Sequence, residues 1–166
     1  MKRISLALLA SIFLYTTASH AALSKEEDQV REAWSALAAA IKAKDADKIW
    51  NLLDSDTQAD AERTAKKVHA VYLKANAKAK AELEKYLGLS SAELTDLKPA
   101  MLFKSKRFDA KYYEIPDSKV TKVVVVSDQA TVFYVEPDDD NEKLNFVRQG
   151  GKWRANMPLP KFLKGK

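Results

Sequence analysis

The sequence predicts an α+β domain in which N-terminal helices pack on one face of a curved, cone-shaped antiparallel β-meander. The first observation behind this is a change of hydrophobic period near Pro116, from helical spacing before it to strand-like alternation after it. The second is that the connections after Pro116 are of hairpin length, which suits strands paired in sequence order. The third is size and composition: 166 residues, 46% hydrophobic and 31% charged, are what one globular domain needs. The absence of cysteine excludes a disulfide framework, a thiolate nucleophile and a cysteine-ligated metal or iron–sulfur centre.

The chain starts with the pattern of an export signal. Lys2 and Arg3 precede an apolar run from Ile4 to Tyr15, and Ser19-His20-Ala21 places small residues where a signal peptidase reads them. Residues 1–21 are therefore expected to be removed after Ala21, and the protein to be periplasmic or secreted. The apolar run is about a dozen residues where a membrane span needs about 20, so no integral span is expected. Loss of Lys2 and Arg3 lowers the formal net charge from +5 to +3, and loss of His20 leaves His69 as the only histidine of a mature chain of about 145 residues. Lysines alternate with acids through most of that chain, and no basic stripe interleaved with aromatics appears, so nucleic acid is not an expected partner. The domain is expected over residues 22–160, with 161–166 as a basic tail that either frays or touches an anionic surface.

Ser24-Lys25-Glu26-Glu27 reads as a capping box opening a helix whose stripe is Val30, Trp34, Leu37 and Ile41. Asp45 is placed to cap a short second helix carrying Ile49, Trp50, Leu52 and Leu53 inward. Ser55-Asp56-Thr57-Gln58 reads as a further capping box, opening a helical run to Gly88 with the stripe Val68, Tyr72, Ala75, Ala79, Leu83 and Tyr86. A continuous helix of that length would be about 45 Å long, more than a domain of this size is wide, so a break is predicted between Lys74 and Ala81. Ser90-Ser91-Ala92-Glu93 caps another helix, Pro99 interrupts it, and Met101, Leu102, Phe103 and Phe108 lead to Tyr112 and Tyr113. Strands are predicted over Val120–Val126, Ala130–Glu136, Lys143–Gln149 and Lys152–Met157.

This order of helices followed by a meander, closing on a hairpin that reads Leu144-Asn145-Phe146-Val147-Arg148-Gln149-Gly150-Gly151-Lys152-Trp153-Arg154, resembles the nuclear transport factor 2-like (SnoaL-like, cystatin-like cone) superfamily. The resemblance spans most of the mature chain, and its compact motif is Gly151-Lys152-Trp153-Arg154. It implies a conical pocket between helices and sheet, which enzymes of the family use for isomerase, dehydratase or cyclase chemistry. It also implies that Trp34, Trp50, Phe146 and Trp153 line this pocket, although ordinary core packing explains the same pattern. The helical segment from Gln58 to Phe108 exceeds the family pattern and could lid the cone.

Proton-transfer chemistry in such a pocket needs a base and an acid to stabilise a developing oxyanion. The candidates are Asp109 or His69 as base and Tyr112 or Tyr134 as acid, with Tyr113 beside them. None falls at a telling spacing, and a noncatalytic reading leads. Arg148 lies in phase with Leu144 and Phe146, so it is an inward cation that needs either a carboxylate or an anionic ligand. Asp138-Asp139-Asp140-Asn141-Glu142 lacks the alternating ligands and glycine of a calcium loop and reads as a hairpin tip, so no metal or other cofactor is expected. The functional expectation is a noncatalytic exported binding domain for a small apolar or anionic ligand or an envelope partner protein. The alternative is an isomerase or dehydratase using a pocket acid–base pair, and the assembly is open between monomer and homodimer.

Overall fold

The computed structural model describes residues 8–163, with side chains from Lys25 onward. The side chains of the expected leader, residues 1–21, and the tail residues 164–166 lie outside the described residues. The fold is α+β: among the described residues, six α-helices and two 3-10 turns precede a four-stranded antiparallel sheet in sequence order.

Helix α1 runs over Leu8–Lys42, and its stripe Val30, Trp34, Leu37 and Ile41 is buried as expected. The expected capping box at Ser24 is not a helix start: Ser24 lies inside α1, because no glycine or proline interrupts the preceding residues and a formed helix propagates at little cost. Asp45 caps α2 (Ala46–Leu52) by accepting from the Lys48 amide at 3.0 Å. Helix α3 (Ser55–Lys74) is capped one residue earlier than expected, by Asp54 rather than Ser55. Asp54 has the stronger reason to occupy that position, since its two carboxylate oxygens satisfy two separate donors there.

The long helical run breaks inside the predicted segment. Ala75 closes α3 in extended conformation, and the Asn76 side chain caps α4 (Ala77–Leu87) by accepting from the Ala79 amide at 3.0 Å. The change of direction splits the expected stripe. Val68 and Tyr72 stay in the core, Ala79 is exposed, and Leu83 and Tyr86 are half-buried while Leu87 takes the core position. Gly88 ends α4 at φ 66°, where a side chain would be strained and its Cβ would stand 2.6 Å from Lys106 Cγ. Ser90 and Glu93 form the predicted capping box of α5 (Ser91–Thr95), and Pro99 starts a 3-10 turn that buries Leu102 and Phe103. Ser105 then caps α6 (Lys106–Tyr112).

Strands β1 (Lys119–Val126), β2 (Gln129–Val135), β3 (Asn141–Gln149) and β4 (Lys152–Asn156) form a meander in the order β1-β2-β3-β4. The register irregularity between Val120 and Lys122 leaves Thr121 as the bulged residue. Gly150 and Gly151, both at positive φ, supply the tight turn that joins β3 to β4. Cross-strand rows on the inner face are Val123–Val132–Leu144, Val125–Ala130–Phe146–Ala155 and Arg148–Trp153. Helix α1 lies against β1, β2 and β4, and α2 against β4.

The N-terminal end of α3 is tied to β4 by a buried polar seam. Asp54 is 1% exposed; its Oδ1 accepts from the Thr57 amide at 2.9 Å and its Oδ2 accepts from Asn156 Nδ2 at 2.7 Å. The Asp54 amide donates to the Ala155 carbonyl, and the Met157 amide donates to Thr57 Oγ1, both at 3.0 Å. At the other end of the chain, Phe162 is buried. The tail is therefore anchored as far as Leu163 rather than frayed from Lys161, since burying an aromatic ring outweighs the entropy of ordering two or three residues.

Candidate functional site

The interior between helices and sheet, where a conical pocket was expected, is occupied by side chains. Trp34 packs on Tyr134 with ring centroids 4.6 Å apart, and Phe103, Phe108 and Tyr112 continue the aromatic series at about 5 Å spacing. Phe146 and Trp153 are buried in the same core, and Trp50 is half-buried against Phe103 at 6.2 Å. Arg148, 28% exposed along its side chain, meets Glu26 of α1, its Nη2 donating to Oε1 at 2.6 Å, and stacks over its cross-strand partner Trp153 at 4.6 Å. The carboxylate that an inward arginine needs thus comes from the chain itself. Arg148 Nε and Trp153 Nε1 are buried without a hydrogen-bond partner.

The acid–base candidates are engaged in different places. His69 Nε2 lies 3.0 Å from the Thr95 carbonyl, linking α3 to α5, and Asp109 accepts from Lys44 Nζ at 3.0 Å on the surface of α6. Tyr112 donates its hydroxyl to the Pro158 carbonyl, while Tyr113 is exposed. Tyr112 and Tyr134 do come together, with Lys111, Glu136, Glu142 and Lys143, around a depression of about 320 Å³. Burial pushes both phenols well above their ordinary range, so each remains a proton donor. Burial also raises the Glu136 carboxyl, helped by Glu114, Glu142, Asp138 and Asp140, and lowers the Lys111 ammonium against the opposing pull of Glu142.

Glu136 was not among the expected site residues, yet its signal is in the sequence: it continues the inward phase of Val132 and Tyr134. Glu114, Glu136 and Asp138 each bring a carboxylate oxygen within 4.8 Å of the others, so they are the described residues with the donor set for a cation.

A third feature is apolar. A groove of about 370 Å³ runs where α3 ends and α4 departs, lined by Val71, Ala75, Ala79, Glu82, Leu83, Tyr86 and Leu163. Val71 is 47% exposed and Leu73 51%, both on α3 away from the face that carries Val68 and Tyr72. Tyr86 forms the end wall: it donates to the Lys161 carbonyl at 3.2 Å, and the Arg107 guanidinium lies 4.8 Å above its ring. The sequence shows Leu83 and Tyr86 on the expected stripe, but only the turn at Ala75-Asn76 lifts them out of the core. No known protein family, no characterised protein and no solved structure matches this chain.

Proposed function

We propose that this chain is an exported, noncatalytic binding domain of the nuclear transport factor 2-like type, and that it holds a partner protein in the groove between α3 and α4. The observation that carries this reading is the exposed apolar wall of that groove. Helices that bury Ala61, Ala65, Val68, Tyr72 and Leu87 leave Val71 47% exposed and Leu83 half-buried along this groove. Aromatic packing where a small-molecule cone would lie favours a protein over a small ligand. The test is site-specific photocrosslinking in the native host, with a benzophenone side chain at Val71 and, as control, at the remote exposed Ala36. A discrete adduct from position 71, absent from position 36 and lost on Leu83→Glu with the melting temperature unchanged, is expected. Equal labelling at both positions would overturn the reading. The export component is checked by mass spectrometry, which should find an N-terminus at Ala22 rather than Met1.

One observation favours a second reading, an acid–base enzyme: the convergence of Tyr112, Tyr134 and Glu136 on one depression. In that reading Glu136 is the base, in place of Asp109 or His69, and a protonated phenol holds the developing enolate oxygen. Deuterium incorporation from solvent α to the carbonyl of a cyclic ketone probe, lost in Glu136→Gln, would support it; no incorporation above background would overturn it.

A further inference from the structure

We infer that the partner presents an acidic amphipathic helix, whose apolar stripe seats in the α3–α4 groove while its carboxylates meet the surrounding lysines. This rests on the protein-binding reading above and adds the chemistry of the partner.

The first argument is charge. Lys67 and Lys74 lie about one turn on either side of Val71, and Lys78 and Lys85 lie about one turn on either side of Glu82. All four are exposed, and none has an ion-pair partner among the described residues. From Lys66 to Leu87 there are six lysines and two acidic side chains. The two acids are Glu84, which accepts from the Tyr72 hydroxyl at 2.7 Å, and Glu82, which lines the groove. The apolar groove is thus bordered by a net positive charge, which selects an acidic partner and accelerates its encounter.

The second argument is shape. Ala75 and Ala79 put methyl groups where larger residues would fill the groove, and Leu83, Tyr86 and Leu163 wall the space left over. Bulky side chains from an opposing helix, spaced i, i+3 or i+4 and i+7, fit such a channel. Helix α4 has 11 residues, about 16 Å of length, which matches roughly three turns of a partner helix. The shape also argues against the other acidic surfaces. A membrane favours a convex apolar face, and single-stranded nucleic acid needs open aromatic platforms, whereas the Tyr86 ring is covered by Arg107.

The test uses the full chain and a fluorescein-labelled synthetic peptide of about 14 residues, with leucines at i, i+4, i+7 and i+11 and glutamates elsewhere. Saturable anisotropy binding with a dissociation constant on the order of 10 μM at low salt is expected. A scrambled peptide of the same composition, and one with lysines for glutamates, should each bind about tenfold more weakly or worse. Val71→Glu should weaken binding by about tenfold through the apolar contact, and Lys78→Glu by a similar factor through charge. Both positions are exposed, and unchanged melting temperatures serve as the folding check. Equal binding of the scrambled peptide, or indifference to Lys78→Glu, overturns the inference. So does co-sedimentation with phosphatidylglycerol vesicles in the absence of peptide binding, and so does a concentration-dependent dimer abolished by Val71→Glu. A crosslinked partner at Val71 combined with failure of the acidic peptide refutes this inference alone; loss of both refutes the protein-binding reading as well.

Discussion

Removing the Asp54 carboxylate should be among the most damaging single changes available in this fold. One oxygen caps α3 through the Thr57 amide and the other receives Asn156 Nδ2 from the end of β4, in a site 1% exposed. Loss of an N-cap costs about 1 kcal/mol, and loss of a charge-assisted hydrogen bond that leaves a shielded amide donor unpaired costs about 2 kcal/mol more. Asp54→Ala should therefore destabilise the protein by about 3 kcal/mol. With an unfolding slope of about 1.5 kcal/mol per molar urea, the midpoint should fall by about 2 M. Asp54→Asn is the discriminating control. It keeps an acceptor for Thr57, and rotation of the Asn156 amide lets that group accept from the new NH2, so the loss should be about 1 kcal/mol. Urea titration followed by fluorescence of Trp34, Trp50 and Trp153 reads both variants. An Asp54→Ala loss below about 1 kcal/mol, or an Asp54→Asn protein as unstable as Asp54→Ala, would show that the seam does not hold α3 to the sheet.

Trp153→Ala, removing a ring that is 6% exposed, should cost about 3 to 5 kcal/mol in the same assay. Glu26→Ala and Arg148→Ala should show a coupling of about 1 kcal/mol in a double-mutant cycle, a third-exposed pair being worth less than a fully buried one; zero coupling would show that the ion pair does not tie α1 to the sheet. Hydrogen bonding from Lys104, then from the Ser90 amide, holds the Glu93 carboxyl down at about 2 against an ordinary 4.5. Its contribution to stability is therefore complete above pH 4.5 and lost as pH falls toward 2, and Glu93→Gln should flatten the acid-unfolding profile in that window. Amides from Lys74 to Ala81 should exchange with deuterium faster than those from Val30 to Ile41, because alanines at the helix break bury little surface.

Local pattern was enough for the class of fold, the order of the strands and the first five helices, and several helix boundaries, but not for α6, whose apolar series carried no helix signal of its own. These depend on local physics: Asp45 and the Ser90–Glu93 pair cap the helices that follow them, Gly88 ends α4 because its left-handed φ costs a glycine nothing, and alternation identifies the strands and their inner face. The break after Lys74 was legible from length alone, as a limit on how long a helix a small domain can hold. Asp54 was missed as a cap because Ser55 satisfies the same local pattern. What decides between them is Asn156, 102 residues away, and long-range partners leave no periodicity to read.

The same reason separates the candidate sites. Arg148 was recognisable as an inward cation in need of a carboxylate, but only the packing of α1 across the sheet names Glu26 as its source. Trp34, Phe146 and Trp153 look alike in sequence whether they line a cavity or fill it, since apolar period reports which side a residue faces and not whether the space beyond is occupied. The groove depends most on tertiary structure. Leu83 and Tyr86 carry a core-like pattern, and it is the change of helix direction at Ala75-Asn76 that swings them beside Val71 and into reach of solvent.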